Sequence, residues 1–207
     1  MHIAIAGNIG VGKTTLAEKL AENFGWEVCY ESVQDNPYLE DFYADMPRWA
    51  FHLQVYFLNN RFKQVKYAQN THHTVIQDRT IYEDAYIFAQ TFYEKGILSQ
   101  RDYENYLNIF HTFSALIKPP DLLIYLKADV PKLKNHIQKR GRHYEQDIPY
   151  TYLEDLNRHY ETWMSNYQEG LVLIKDVCRK DFLLHSADWE EFKAEIQELI
   201  AVKKLGA

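Results

Sequence analysis

The stretch Gly7-Asn8-Ile9-Gly10-Val11-Gly12-Lys13-Thr14-Thr15 decides how the chain is read. It follows an apolar run, His2-Ile3-Ala4-Ile5-Ala6, and opens a helical pattern carried by Leu16, Ala17, Leu20, Ala21 and Phe24. Strand, glycine-rich turn and helix, spelled G-x-x-x-x-G-K-[ST], make the setting of a phosphate-binding loop. The glycines let backbone N–H groups turn inward around an anion, and the helix N-terminus adds partial positive charge. Lys13 would reach the β- and γ-phosphates, and the Thr14 hydroxyl would ligate Mg2+. The motif points to a nucleoside triphosphate and leaves open what receives the phosphate.

Working outward, 207 residues suffice for one sizeable α/β domain, expected over residues 1–207. Hydrophobic residues make up 46% and charged residues 25%, a globular composition. A net charge of −6 and a pI of about 5.8 argue against a broad basic footprint for polymeric nucleic acid. Cys29 and Cys178 form no C-x-x-C pair, and nothing indicates a zinc site or a disulfide framework. No run approaches the roughly 18 apolar residues of a membrane span. The phosphate loop begins at residue 7, so a cytoplasmic protein without a leader is the expectation.

Further along, Trp26-Glu27-Val28-Cys29-Tyr30 reads as a second strand, with Glu31 just past its end. Ligands of open parallel sheets sit beyond the carboxyl ends of strands, so Glu31 either faces the phosphate loop or is a solvated strand-end acid. Asp35-Asn36-Pro37 is a turn signal, and Pro47 starts a long helix. Phe51, Val55, Leu58 and Phe62 form its apolar stripe, while Gln54, Phe57 and Arg61 share a neighbouring face. An amide and a stacking ring there would suit a nucleobase; ordinary polar helix positions would look the same.

Thr74-Val75-Ile76-Gln77 is a short strand ending at Asp78-Arg79-Thr80. Asp78 could hold Mg2+ together with Thr14. Arg79 could neutralise a transferring phosphoryl group or hold the attacking hydroxyl. Helices are expected over residues 82–93 and 102–117, the first with Asp84 in its opening turn. Leu122-Leu123-Ile124-Tyr125-Leu126 has the continuous apolar run of a buried parallel strand. The segment Lys139-Arg140-Gly141-Arg142-His143-Tyr144-Glu145 reads as a solvated charged loop or a mobile lid closing arginines over phosphates. Leu171-Val172-Leu173-Ile174 is the fifth strand, and residues 189–202 form a closing amphipathic helix. Five strands with helical crossovers predict a doubly wound parallel α/β sheet with helices on both faces.

Taken in order, these motifs resemble the deoxynucleoside kinases nearly end to end. The resemblance rests on the phosphate loop, Glu31-Ser32-Val33, the Tyr43…Trp49…Gln54 segment, Asp78-Arg79-Thr80 and the Arg140-Gly141-Arg142 lid. It implies a P-loop kinase fold, a lid over about residues 136–148, and transfer of phosphate from ATP with Mg2+ to a deoxynucleoside 5′-hydroxyl. It casts Glu31 as proton acceptor, Arg79 as its partner, and Asp78 as Mg2+ ligand or base. It puts Tyr43 and Glu145 at the sugar 3′-hydroxyl, Gln54 at the base edge, and Arg61 and Asp84 near the base. Arg140 and Arg142 would meet the donor phosphates, and Lys180, Asp181 and Phe182 would flank the donor adenine. His136 departs from relatives that carry a further lid arginine. The Arg61/Asp84 pair favours a purine or cytosine, and the Asp35-Asn36-Pro37-Tyr38-Leu39 stretch resembles bacterial purine deoxynucleoside kinases, so deoxyadenosine is expected first, with deoxyguanosine or deoxycytidine also accepted. The family suggests a homodimer joined through helices; the aromatic residues over 86–92 and 103–113 would either furnish that surface or only pack the core. Two other readings are a nucleoside monophosphate kinase, which would need more basic groups near Gln54 than Arg61, and a nucleotide-gated interaction protein. A GTPase of that kind would want an N-K-x-D motif, which the sequence lacks.

Overall fold

The computed structural model describes residues 1–31, 36–179 and 185–205. Its strands are β1 (His2–Gly7), β2 (Glu27–Cys29), β3 (Val75–Asp78), β4 (Leu122–Lys127) and β5 (Leu171–Asp176). They form one sheet in the order β2-β3-β1-β4-β5, with every pairing parallel. This is the α/β sheet expected of a P-loop kinase. Every residue of β1 and β3 is buried, as their runs of Ile, Val and Ala require of strands covered on both faces.

The crossovers supply α1 (Lys13–Phe24), α2 (Leu39–Ala44), α3 (Met46–Asn70), α4 (Ile81–Glu83), α5 (Gln90–Glu94), α6 (Gln100–Ser114), α7 (Val130–Arg140), α8 (Tyr150–Ser165) and α9 (Ser186–Leu205). One apolar core joins the sheet to α1, α7, α8 and α9. A second joins α2 and α3 to the helices following β3. Register fixes what lies between them: Ile5 on β1 sits opposite Asp78 on β3, and the Arg79 N–H continues the ladder to the Ile5 carbonyl at 3.0 Å. Gly7 and Arg79 therefore leave the sheet side by side, where such sheets bind ligands.

One expectation is corrected. The apolar stripe of α3 is displaced: Leu58 is fully buried, but Phe51, Val55 and Phe62 are only partly so. Ala50, Leu53, Gln54, Phe57 and Arg61 hold the inner face instead, because that face is shared between a core and a cleft. The helical stretch expected over residues 82–93 forms, with an irregular middle. Asp84–Ala89 winds as a π-helix between α4 and α5, a form that tends to occur at functional sites. Asp78 is the last residue of β3, at the strand's carboxyl end as expected. Most rings of the suggested dimer helices serve the core, with Phe92, Tyr106 and Phe110 at most 2% exposed; Tyr86 is 38% exposed. Cys29 and Cys178 are free thiols. No helix among the described residues is long and apolar enough to cross a membrane.

Gly7 shows how tightly the first turn is built. Its φ is 147°, and a Cβ there would stand 2.6 Å from the Leu126 carbonyl oxygen. Gly25, at the end of α1, also has a positive φ of 68° but open space around it. Gly7→Ala should therefore cost about 1–3 kcal/mol from overpacking in addition to its backbone strain. Gly25→Ala should cost only the left-handed penalty of about 1–2 kcal/mol. Urea midpoints of the two variants measure this, and equal losses would contradict the close approach of Gly7 to β4.

Candidate active site

A cleft of about 1000 Å3 opens where β1 and β3 end, lined by members of both apolar cores. It gathers Ile9, Gly10, Gly12, Lys13, Thr14 and Thr15 from the glycine-rich turn and the start of α1. It also takes Glu31, Tyr43, Gln54, Phe57, Arg61, Asp78, Arg79, Asp84, Arg140, Arg142 and Glu145. Gly7, Asn8 and Val11 stand behind the turn. The Asn8 amide donates to the Leu153 carbonyl at 3.0 Å and to Asn157 Oδ1 at 2.8 Å, tying the turn to α8. Lys180, Asp181 and Phe182 lie outside the described residues, as do Ser32 and Val33.

Charge is concentrated at the strand ends. Arg79 Nε lies 2.8 Å from Glu31 Oε1, and Arg61 Nη2 lies 2.7 Å from the same oxygen. Arg61 Nε lies 3.3 Å from Asp84 Oδ2, so Arg61 bridges two carboxylates. Arg79 adopts φ 75°, left-handed backbone that a non-glycine residue holds only where its surroundings fix it. Its guanidinium lies over the Phe88 ring at 4.5 Å. Burial raises the Glu31 pKa, but Arg79, then Arg61, Lys13 and Arg142, outweigh it and hold this carboxyl well below its usual range. Burial also pushes Asp84 up to about 7 against the pull of Arg61.

On the phosphate-loop side, Lys13 donates to the Gly7 carbonyl at 2.7 Å and to that of Asn8 at 3.1 Å. Burial, then the nearby Arg79, lowers its pKa to about 8. Thr14 Oγ1 donates to Asp78 Oδ2 at 2.5 Å, while Asp78 Oδ1 is buried with no hydrogen-bond partner. Burial holds the Asp78 pKa up, opposed first by Lys13. A hydroxyl and a carboxylate with an uncommitted oxygen form the oxygen-only donor set that suits Mg2+, which binds one or two carboxylates alongside phosphate and water.

The segment carrying Arg140 and Arg142 lines the cleft. Gly141 caps α7 with φ 74°, a short 3-10 turn follows at His143–Glu145, and Arg140 and Arg142 both converge on Glu145. Tyr144 stacks on Tyr43 at 5.2 Å. Burial, then Tyr152 and Glu145, keeps the Tyr43 phenol protonated and hence a donor. His136 Nδ1 meets the Gly10 carbonyl at 2.8 Å, joining α7 to the glycine-rich turn. Lys134 donates to the Ile148 carbonyl at 2.6 Å and pins the far end of the segment. Gln54 is 2% exposed, and its Oε1 has no partner.

The sequence assigns no site role to Glu83, Tyr160, Tyr152 or Phe88, the last expected only as apolar helix surface, yet all four support or line the cleft. The spelling Thr80-x-x-Glu83 is a capping box, and it does form: the Thr80 N–H donates to Glu83 Oε2 at 2.6 Å, and the Glu83 N–H to Thr80 Oγ1 at 3.2 Å. That signal was available for Glu83.

Comparison with known proteins agrees with this geometry. The family model for deoxynucleoside kinase matches residues 3–201. The chain is 42% identical over 200 residues to the deoxyadenosine/deoxycytidine kinase of Bacillus subtilis (strain 168), covering 96% of this chain and 92% of that one. It is 38% identical over 202 residues to the deoxyguanosine kinase of the same organism, covering 96% and 97%. The deoxyadenosine kinase from M. mycoides with dCMP and dCDP bound superposes with a TM-score of 0.84 at 32% identity, over 96% of this chain and all of that one. The same kinase with dATP bound gives a TM-score of 0.83 at 32% identity, over 95% and 99%. On sequence, fold and the contents of its cleft, the chain belongs to the deoxynucleoside kinase family.

Proposed function

We propose that this chain transfers the γ-phosphoryl group of ATP to the 5′-hydroxyl of a purine deoxynucleoside, deoxyadenosine first. The observation that carries this reading is the Glu31 carboxylate, held between Arg79 and Arg61 in the cleft that also holds Lys13, Thr14 and Asp78. One acceptor oxygen thereby faces a cradle of cations.

Glu31 accepts a hydrogen bond from the sugar 5′-hydroxyl and then its proton, and Arg79 orients both. Lys13, Arg79 and the arginines at 140 and 142 offset charge on the phosphoryl oxygens. For the arginines at 140 and 142 this means leaving Glu145, which then joins Tyr43 at the 3′-hydroxyl. Thr14 and Asp78 would hold Mg2+, which when bound offsets charge on the donor phosphates. The segment over residues 136–148 acts as the lid that excludes water.

Gln54 faces the base edge with an uncommitted amide oxygen. Adenine and cytosine each present an amino donor beside a ring-nitrogen acceptor, which one amide can meet bidentately. The relatives in Bacillus subtilis, a deoxyadenosine/deoxycytidine kinase and a deoxyguanosine kinase, support a pocket of this class. Arg61, the cation on the Gln54 face, is tied up by Glu31 and Asp84, which disfavours a monophosphate as acceptor. We further propose a homodimer, with Tyr86, 38% exposed, as an apolar ring that the suggested helices offer to it.

In a panel of the four deoxynucleosides with ATP and Mg2+, deoxyadenosine should give the highest kcat/KM and deoxyadenosine monophosphate no turnover. Light scattering on the same preparation should give twice the chain mass. Preferred phosphorylation of the monophosphate would end the reading. Glu31→Gln should lower kcat by about 10²-fold or more with KM for the nucleoside nearly kept, the range of a lost general base. Near-normal turnover would remove Glu31 from that role. Lys13 is charged below about pH 8 and loses its charge above it. Since kcat/KM reports the free enzyme, kcat/KM for ATP should fall as pH rises through that value. The kcat at saturating ATP should hold, because bound phosphate favours the ammonium. A flat kcat/KM profile would contradict this.

A further inference from the structure

A capping box needs one carboxylate oxygen, and Glu83 spends only Oε2 on it. The residue is fully buried, so its other oxygen has to be met by donors. Oε1 accepts from the Gly7 N–H at 3.1 Å, lies 2.6 Å from the Tyr160 hydroxyl, and stands 3.8 Å from Arg79 Nη1. Tyr160 is itself fully buried on α8, accepts from Arg79 Nη1 at 3.2 Å, and lies 2.9 Å from the Gly7 carbonyl. That same carbonyl takes the Lys13 ammonium at 2.7 Å. One carboxylate oxygen thus touches the first residue of the phosphate loop and the arginine that faces Glu31. Only a carboxylate serves, since the amide of Gln would turn N–H groups toward the N–H of either Gly7 or Thr80.

We infer that Glu83, supported by Tyr160, is a positioning residue that sets the Lys13-bearing loop and Arg79 in a fixed relation to each other. Donor and acceptor halves of the cleft are then aligned before either substrate arrives, as in-line transfer demands. The inference rests on the proposed role of Arg79 and goes beyond it, because it concerns a residue that touches no reactant.

Glu83→Asp separates the two duties of the side chain. Asp caps a helix and keeps the charge, but it is one methylene too short to reach Gly7 while capping. Its KM for ATP should rise and its kcat fall, each about 10-fold or more, as expected for lost hydrogen bonds to a charged group. Tyr160→Phe keeps the ring in place and should raise KM for ATP about 3- to 10-fold. The double variant should be scarcely worse than Glu83→Asp alone, because the two side chains act as one unit. If both single variants melt at lower temperature yet keep parental KM and kcat, Glu83 is only a cap and the inference falls. Should Glu83→Asp fail to fold, parental kinetics in Tyr160→Phe alone would overturn it. Arg79→Lys tells the two failures apart. A slow Arg79→Lys beside a normal Glu83→Asp defeats the present inference only, and a normal Arg79→Lys defeats the reading on which it rests.

Discussion

A guanidinium 4% exposed, at the end of a strand covered on both faces, persists only where carboxylates meet it, and Arg79 meets Glu31 and Glu83. Neither carboxylate would be tolerable there alone. Each is held in turn: Glu31 by Arg61, and Glu83 by the N–H groups of Thr80 and Gly7. The compensation runs through six segments, the ends of β1, β2 and β3 and the helices α3, α4 and α8. Removing one member leaves a buried charge unpaired, which makes the cluster a constraint on the fold as well as a site. The left-handed backbone of Arg79 fits this picture, since such a conformation survives where surrounding contacts over-determine it.

What was legible in the sequence is what local chemistry dictates. The glycine-rich turn between Ala6 and Lys13 needs no long-range information, and the run from Leu122 to Leu126 can only be a buried strand. The order of motifs then identified Glu31, Gln54, Arg79 and Glu145 as companions, and the cleft does bring them together. The misread parts depend on packing between distant segments. Aromatic residues surround α3 on several sides, so spacing alone offers more than one stripe; Phe62 turned out to stack on Phe113 of α6 rather than fill the inner face. The π-helical turn at Asp84–Ala89 leaves no periodic mark over so few residues. The second duty of Glu83 was invisible because its partners, Gly7 and Tyr160, lie 76 and 77 residues away.

The electrostatics of the cleft bear on how the proposed transfer would proceed. A carboxylate as strongly acidic as Glu31 is a weak base, and a weak base is ill matched to deprotonating an alcohol. The difficulty eases once the timing of phosphoryl transfer is considered. In a loose transition state the attacking oxygen has formed little bond, so its proton leaves late and the early need is orientation. A carboxylate fixed between two arginines suits that need: it stays ionised, presents one oxygen, and does not rotate. Incoming donor phosphates would also draw Lys13, Arg79 and Arg142 toward themselves. Those three cations are among the groups that hold the Glu31 pKa down, so the carboxylate would become more basic when the donor is in place. On that argument, Glu31 gains proton affinity at the stage of the cycle that calls for it.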